Sequence, residues 1–238
     1  MKILLLDIET SPNTAHVWGL WQQNVGINQL LESSYVLCWS AKWYGEKKVH
    51  FGKDLEHIYE MINQADVVVH YNGKKFDMPT LNKEFLLHGM PPPAPYKQID
   101  LLRVVRSQFR FPSNKLDYVA QRLGLGKKFK HEGHELWVKC MNNDPVAWKT
   151  MEKYNKQDVV LLEKVYDKLR PWIKSHPNHN LYTESDHVCP NCGSTNLQKR
   201  GVNRTIGGIY QRYQCNDCST WSQNTRSDRT VSVKGIST

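Results

Sequence analysis

The stretch LLLDIETSPN, residues 4–13, contains an apolar run followed by two carboxylates, Asp7 and Glu9. The apolar run is typical of a buried strand, in which side chains two residues apart point to the same face of the sheet. Two like charges this close are explained either by a solvated turn that begins after Leu6 or by a bound divalent cation, which prefers oxygen ligands. The remainder of the sequence distinguishes between these two interpretations.

Segments typical of strands and of helices alternate from residue 1 to about residue 172, which predicts an α/β domain. The predicted strands are KILLLD (2–7), TAHVWGLW (14–21), YVLCWSAKWY (35–44), KKVHF (47–51) and DVVVHYN (66–72). The spacing of apolar residues predicts helices at 54–65, 78–89, 101–109 and 115–126 and a long helix from Asp144 to about Trp172. Asp54 is predicted to be an N-cap, Gly89 a stop signal, and Pro145 fits a first helical turn.

The composition limits the class of protein. The 238 residues suffice for one full-sized domain and a small appendage, and the formal net charge of +9 favours a polyanionic partner. The opening MKILLLD is too short for a signal peptide or a membrane span, so we expect a cytoplasmic protein. Cys38 and Cys140 lie in apolar surroundings and are predicted to be buried, reduced thiols.

Further acids stand where strands and helices would bring them near the first two. Asp77 lies just beyond a predicted strand in YNGKKFD, and Asp158 lies inside the predicted long helix. Tyr154 precedes Asp158 by four residues, so both side chains lie on one face of that helix. Each pattern is common when taken alone, and the information lies in their combination and order.

In this order the motifs resemble those of the DEDD superfamily of 3′–5′ exonucleases, over roughly residues 1–172. The motifs are Asp7-x-Glu9, Asn72-x-x-x-Phe76-Asp77 and Tyr154-x-x-x-Asp158. The tyrosine indicates the Tyr branch, and the second motif is similar to that of the proofreading domains of family B DNA polymerases. The resemblance implies a ribonuclease H-like fold, in which helices flank a mixed sheet.

The resemblance also implies that two Mg²⁺ or Mn²⁺ ions hydrolyse a phosphodiester, since two ions ~4 Å apart can activate water and stabilise the leaving oxygen. Asp7 would bridge both ions, and Glu9 and Asp158 would complete one ion site. Asp77 would support the other site through water. Tyr154 would orient or deprotonate the attacking water.

Other polar residues near these motifs receive different interpretations. The resemblance implies that Asn72 and Phe76 help to hold the terminal nucleotide. Asp100 follows a proline-rich loop, so it is either a competing acid or, as we prefer, the N-cap of the next helix. His131 and His134 lack a third ligand at a suitable spacing, and we expect them to lie in a loop or to contact substrate.

Four cysteines are clustered in the last quarter of the chain. They form the pattern C-x₂-C-x₂₂-C-x₂-C through Cys189, Cys192, Cys215 and Cys218. The pattern predicts one structural Zn²⁺ held by four thiolates, which leave no open position for water. Two unrelated thiol pairs, or disulfides, are the alternative.

The cysteine cluster is predicted to form a zinc ribbon, which looks like those attached to transposases and other DNA-handling proteins. The segments 194–204 and 209–215 flank Gly207-Gly208 and are predicted to form its hairpin. The predicted boundaries are 1–174 for the exonuclease domain, 175–187 for a linker, 188–222 for the ribbon and 223–238 for a flexible basic tail.

Cations and aromatic rings alternate on the predicted hairpin. Residues 171–238 contain eight Lys+Arg and four Asp+Glu, a net charge of +4. Phosphate contact and base stacking are expected of Arg200, Arg204, Arg212, Tyr210 and Tyr213. A solvated hairpin face and a protein docking surface are the alternatives.

Together these features predict a metal-dependent 3′–5′ exonuclease that acts preferably on the 3′ ends of single-stranded DNA. A 3′–5′ exoribonuclease is the nearest alternative, because discrimination of the 2′-hydroxyl depends on pocket shape. A nucleic-acid-binding adaptor with a degenerate site is another, although no motif carboxylate is missing. We expect nucleic acid as the partner, with a protein partner possible through the ribbon, and no membrane.

Overall fold

The computed structural model describes residues 1–185 and 187–232. The chain divides into two compact units, Lys2–Tyr166 and Asp167–Thr238. Within the described residues, no helix has both the length and the apolar character that crossing a bilayer requires.

The first unit alternates strands and helices. Its strands are β1 (Ile3–Thr10), β2 (Thr14–Ala15), β3 (Leu30–Glu32), β4 (Val36–Trp43), β5 (His50–Gly52), β6 (Val67–His70) and β7 (Lys97–Asp100). The helices are α1 (Leu55–Asn63), α2 (Asp77–Leu87), α3 (Leu101–Gln108), α4 (Leu116–Arg122), α5 (His134–Met141) and α6 (Pro145–Leu169). This architecture confirms the predicted α/β fold with a mixed sheet flanked by helices.

The central sheet has the strand order β5-β4-β1-β6-β7. The middle strand, β1, pairs antiparallel with β4 and parallel with β6, and β6 pairs parallel with β7. Leu4, Leu5 and Leu6 of β1 are fully buried. A central strand covered on both faces is a continuous apolar run, as its sequence predicted.

Several predicted helix signals are confirmed. The carboxylate of Asp54 accepts a hydrogen bond from the amide of His57 and caps α1. The carboxylate of Asp144 accepts from the amide of Val146, and Pro145 begins α6. These capping groups satisfy amides that a helix leaves unpaired at its N-terminus, so local sequence is enough to locate them.

The predicted strand TAHVWGLW is wrong. Only Thr14–Ala15 is extended, and this short strand pairs with β3 in a separate two-stranded sheet. The rest of the segment lies on the surface, where the side chain of Trp18 is 98% exposed. The aromatic residues that suggested a buried strand therefore find no core partner.

Besides β3, which pairs with the short β2, two elements of the first unit were not predicted. β7 follows the proline-rich loop and pairs with β6, although only Ile99 and Asp100 of its four residues are buried. α5 begins at His134, one of two histidines that were expected to lie in a loop or to contact substrate. Both elements are short, and their apolar periodicity is weak.

Different helices pack against the two faces of the central sheet. On one face, Leu4, Leu6 and Ile8 join a cluster with residues of α1 and α2. On the other face Cys38, which opposes Glu9 in β4, joins a cluster with residues of α5 and α6. Because side chains alternate along a strand, the odd-numbered residues of β1 point toward α6.

The second unit contains the predicted hairpin, formed by β8 (Leu197–Arg204) and β9 (Gly208–Cys215). β10 (Trp221–Gln223) and β11 (Arg229–Thr230) also pair with β9. Part of the segment that was predicted to be a flexible tail is therefore a strand. The last part of that tail, 233–238, and Asp186 of the predicted linker lie outside the described residues.

Candidate active site

Three carboxylates meet beside β1. Asp7, Glu9 and Asp158 each offer an oxygen atom, and these atoms all lie within 4.8 Å of one another. The first two belong to β1 and point toward α6, which carries Asp158 with its side chain 1% exposed. The polar-turn interpretation of the opening stretch is therefore wrong, because β1 continues through both acids to Thr10. We refer to these three residues as the acidic cluster.

The fourth predicted acid, Asp77, lies beside this cluster and is fixed to β1. Asp77 is the first residue of α2 and is buried, and its Oδ1 accepts a hydrogen bond from the amide of Ile8 at 3.2 Å. Its charge also contributes to the raised pKa of Asp7. Asp77 is therefore hydrogen-bonded to the strand that carries Asp7, and its carboxylate is close enough to affect the charge of Asp7.

Burial and mutual repulsion make these acids hold their protons. The pKa of Asp7 is raised well above its ordinary value by burial and then by the charges of Glu9, Asp77 and Asp158. Burial raises the pKa of Glu9 to about 8 and that of Asp77 to about 7. The ordinary values are 4.5 and 3.8, so the site favours the neutral form of these acids unless a cation compensates for their charges.

A cation that the sequence motifs did not identify lies within the acidic cluster. Nζ of Lys128 is 2.5 Å from Oδ2 of Asp158 and 3.3 Å from the hydroxyl of Tyr154. Burial alone would lower the pKa of Lys128, but the carboxylate of Asp158 raises it. Lys128 lies in the segment between α4 and α5. Its position in the sequence follows no strand or helix periodicity shared with the acids.

A second residue missed by sequence reasoning is Asn155. Its side chain is fully buried, and Nδ2 donates a hydrogen bond to Oδ2 of Asp7 at 2.7 Å. Asn155 lies three residues before Asp158 on α6, so a helical-face argument could have found it. This hydrogen bond orients the carboxylate of Asp7.

The donor set fits divalent cations. The acidic cluster offers only carboxylate oxygens, which Mg²⁺ and Mn²⁺ prefer. Oδ1 of Asp158 and Oδ1 of Asn155 are buried and have no hydrogen-bond partner within the protein. A bound cation would give these buried oxygens a partner and would compensate for the negative charges around them.

Tyr154 lies next to the acids and is 7% exposed. Its ring packs against His131, at a centroid distance of 4.6 Å, and against Trp137 at 6.0 Å. Burial, followed by the charge of Glu9, raises the pKa of Tyr154. The phenol therefore keeps its proton in the ion-free site and acts as a hydrogen-bond donor.

A cleft of about 520 Å³ opens from Asp7 and is lined by Asn72, Arg106, Lys115 and Lys128 among others. The backbone of Asn72 is left-handed, with φ of 71°, and its amide donates to Oδ1 of the buried carboxylate of Asp100. This bond places the Asn72 side chain at the cleft.

Two other residues that were singled out around the motifs have clear positions. Asp100 caps α3 through the amide of Leu102, as predicted. Phe76, at the N-cap position of α2, is 45% exposed, so its ring is available to a ligand.

The four cysteines of the second unit form one cluster. The Sγ atoms of Cys189 and Cys218 are 3.6 Å apart, and those of Cys192 and Cys215 are 3.7 Å apart. Four thiolates at about 2.3 Å from a tetrahedral Zn²⁺ would lie about 3.8 Å from one another. All four thiols are free and not joined in disulfides, so the cluster fits a structural zinc ion.

The hairpin residues that were predicted to contact nucleic acid differ in their exposure to solvent. Arg200, Arg204 and Arg212 are exposed, and the guanidinium of Arg212 lies over the ring of Trp221 at 5.5 Å. Tyr210 is partly buried. Tyr213 is buried, which contradicts its expected role as a stacking surface, because its face is not accessible to a base.

Comparisons with known proteins agree with this architecture. A family model described as RNase_H_2, of the RNase_H superfamily, matches residues 4–170. One solved structure with the same fold is described as the family B DNA polymerase from the hyperthermophilic archaeon Pyrobaculum calidifontis. The match has a TM-score of 0.56 at 20% sequence identity and covers 71% of this chain. The chain spans only 24% of the polymerase's length. A search of curated proteins found no match.

Proposed function

The chain belongs to the RNase_H superfamily, and from this membership we propose that it is a metal-dependent 3′–5′ exonuclease. The superfamily supports a nuclease-type function and a nucleic-acid substrate. The finer proposal is that the enzyme hydrolyses phosphodiesters at the 3′ ends of single-stranded DNA with two Mg²⁺ or Mn²⁺ ions.

One observation carries the proposal. The carboxylate of Asp158 lies 149 residues after Glu9 and 151 after Asp7 in the chain, and the three meet with oxygens within 4.8 Å. Asp77 of the second motif is hydrogen-bonded to the strand that carries the first two. Burying several like charges together is costly unless a cation or a proton compensates for them. An arrangement of this kind is therefore favoured when it binds metal.

The protein's own residues hold and orient the reactants. Bound divalent ions supply Lewis-acid activation of water and stabilise charge on the leaving oxygen. Asp7, Glu9 and Asp158 provide the oxygens that would hold these ions, and Asp77 fixes β1. The hydroxyl of Tyr154 donates a hydrogen bond that orients the attacking water.

The polarity and the DNA preference rest on the resemblance of the motifs. All three have the form found in the Tyr branch of the DEDD exonucleases, and the second is similar to that of family B proofreading domains. The solved structure that shares this fold is likewise a family B DNA polymerase. We propose that Asn72 and Phe76, which lie at the cleft and at the start of α2, hold the terminal nucleotide.

The second unit is proposed to bind one structural Zn²⁺ and to deliver substrate through the exposed guanidinium groups of its hairpin. Four reduced thiolates are required for such a site, which favours a reducing compartment, and we place the protein in the cytoplasm on that ground. We propose that the exonuclease domain ends near residue 174, with a linker before the ribbon.

The proposal is tested with single-stranded DNA and RNA oligonucleotides labelled at either the 5′ or the 3′ end, in Mg²⁺, Mn²⁺ or EDTA. A 3′–5′ exonuclease produces a ladder from the 5′ label, releases the 3′ label as a mononucleotide at once, and is inactive in EDTA. Asp158→Asn serves as the inactive variant and Glu135→Gln, 63% exposed on α5, as the matched control. Release of the 5′ label first, or cleavage in EDTA, would contradict the proposal.

A further inference from the structure

A segment of the first unit exposes large apolar side chains that the proposed chemistry does not use. The apolar loop, residues 17–29, connects β2 to β3. Its exposed apolar residues are Val17 (43%), Trp18 (98%), Leu20 (85%), Trp21 (84%), Val25 (49%) and Ile27 (88%). Six exposed apolar side chains within thirteen consecutive residues mark a candidate interaction site.

The composition of the loop limits what it binds. It contains no Asp, Glu, Lys or Arg, and its remaining residues are five amides and two glycines. The protein has a formal net charge of +9, yet none of its Lys or Arg residues lies in the loop. A surface that contacts phosphates is expected to contain such cations. The loop therefore offers indole faces and amides, which suit the bases of a nucleic acid and not its backbone.

The segment that contains the loop begins just beyond β1, which carries Asp7 and Glu9, and ends just before β4. The amide of Ser11 donates to the carbonyl of Tyr35, and the amide of Tyr35 donates to Oγ of Ser11, both at 2.9 Å. These bonds lie just beyond the ends of β1 and β4, at which Glu9 opposes Cys38. Both ends of the segment that contains the loop are therefore held together at the end of the central strand β1 that follows Glu9.

Chain geometry limits how far the tryptophans can be from the site. Trp18 lies nine positions after Glu9, and a fully extended chain of that length spans at most ~32 Å. At ~3.4 Å per stacked nucleotide, this distance corresponds to about nine nucleotides. A single strand whose 3′ end occupies the acidic cluster is therefore long enough to reach the loop with its unpaired bases.

We propose that the apolar loop is a stacking platform on which Trp18 and Trp21 bind unpaired bases of the substrate strand upstream of its 3′ end. This inference rests on the proposed function. The occupant is a single-stranded nucleic acid, because the segment that contains the loop leaves β1 just beyond Glu9 of the acidic cluster. The contact is independent of base sequence, because every base has a stacking face.

The test is fluorescence anisotropy in EDTA with 5′-labelled twelve-nucleotide strands of thymidylate and uridylate. The double variant Trp18→Ala/Trp21→Ala is expected to bind on the order of 10- to 100-fold more weakly than the wild-type protein. The slope of log affinity against log salt should not change, because no phosphate contact is lost. Leu86→Ala/Leu87→Ala, on exposed residues of α2, is the matched control and should bind like the wild type.

Two further binding measurements test whether the lost affinity comes from stacking of bases on the tryptophan rings. A thymidylate strand without bases beyond the three 3′-terminal nucleotides should bind the wild-type protein and the Trp18→Ala/Trp21→Ala variant equally. Trp18→Phe/Trp21→Phe keeps aromatic faces and should restore most of the affinity. Wild-type affinity of the alanine variant for base-bearing strands, or failure of the phenylalanine variant to restore binding, would overturn the proposal.

The same proteins distinguish a failure of the stacking proposal from a failure of the proposed function. If the wild-type protein cleaves with Mn²⁺ and the alanine variant binds equally well in EDTA, stacking is refuted and the exonuclease stands. If the wild-type protein neither cleaves nor binds either strand, the proposed function fails and the inference fails with it.

Discussion

Nζ of Lys128 lies 2.5 Å from Oδ2 of Asp158, so the acidic cluster is already in contact with a cation that belongs to the chain. The ammonium partly neutralises carboxylates whose pKa values burial raises. A divalent ion that binds Asp158 therefore has to share this carboxylate with Lys128 or displace the ammonium. The affinity of the site for ions consequently depends on a residue that supplies no ligand.

Lys128→Met should increase the affinity for Mn²⁺ in the absence of substrate. Removing one positive charge a few ångströms away stabilises the bound ion by on the order of 1–2 kcal/mol in a partly solvated site, or about tenfold in affinity. Calorimetric titration at pH 9, where proton competition is small, measures this change. Lys128→Arg retains the charge and should bind Mn²⁺ like the wild type. Weaker binding by the methionine variant would contradict the prediction.

Asp7→Ala and Asp158→Ala should each reduce cleavage by at least ~10³-fold, because stabilisation by bound ions accounts for several kcal/mol of the barrier. Oligonucleotide binding should remain largely intact, since the exposed cations are unchanged. Single-turnover cleavage and anisotropy on the same strand provide the two measurements. Near-normal cleavage by both variants would show that the reaction occurs elsewhere.

Tyr154→Phe should slow cleavage by ~10- to 100-fold without loss of ion binding, because the phenol orients water and is not required as a ligand. The ring remains packed against His131 and Trp137, so the fold is retained. Turnover and Mn²⁺ affinity are measured in parallel. Loss of Mn²⁺ binding in this variant would mean that the hydroxyl holds the ion.

Ion-induced stabilisation should increase with pH. The folded, ion-free protein holds protons on acids whose pKa burial raises, Glu9 to about 8 and Asp77 to about 7. The unfolded chain releases these protons at lower pH, so the free energy of unfolding without ions decreases between about pH 5 and pH 8. Bound Mn²⁺ replaces the protons and reverses this loss.

The melting temperature measured in EDTA and in Mn²⁺ tests this dependence on pH. The shift that Mn²⁺ produces should be larger at pH 8 than at pH 6, and Asp158→Asn should reduce the difference. Equal shifts at both pH values would show that the acids are ionised before the ion binds.

Truncation after Lys174 should leave a folded protein that still degrades short oligonucleotides at high concentration. Its affinity should decrease, and the slope of log affinity against log salt should become less steep by about 0.7 for each lost phosphate contact on a single strand. Anisotropy across a salt series compares the full-length and truncated proteins. Identical affinity and slope would indicate that the ribbon binds a protein.

The sequence predicted the parts of the site that depend on local order. Asp7 and Glu9 on one strand, and Tyr154 and Asp158 on one helical face, follow from strand and helix periodicity. Trp18 could not be placed in this way. A hydrophobic pattern shows that a side chain favours burial, but it does not show whether other elements of the fold cover that side chain. Lys128 reaches the acids only through tertiary folding, which no local spacing encodes.

Asp7 on β1 and Asn155 on α6 are hydrogen-bonded but lie far apart in the chain, which has a consequence for protein synthesis. During translation the acids of β1 leave the ribosome before α6 does, and Asp158, which completes the acidic cluster, is made 151 residues after Asp7. A nascent or prematurely terminated chain that ends before residue 158 lacks one of the three carboxylates. Activity is therefore confined to chains whose synthesis has passed this helix, and interrupted translation products carry no assembled nuclease site.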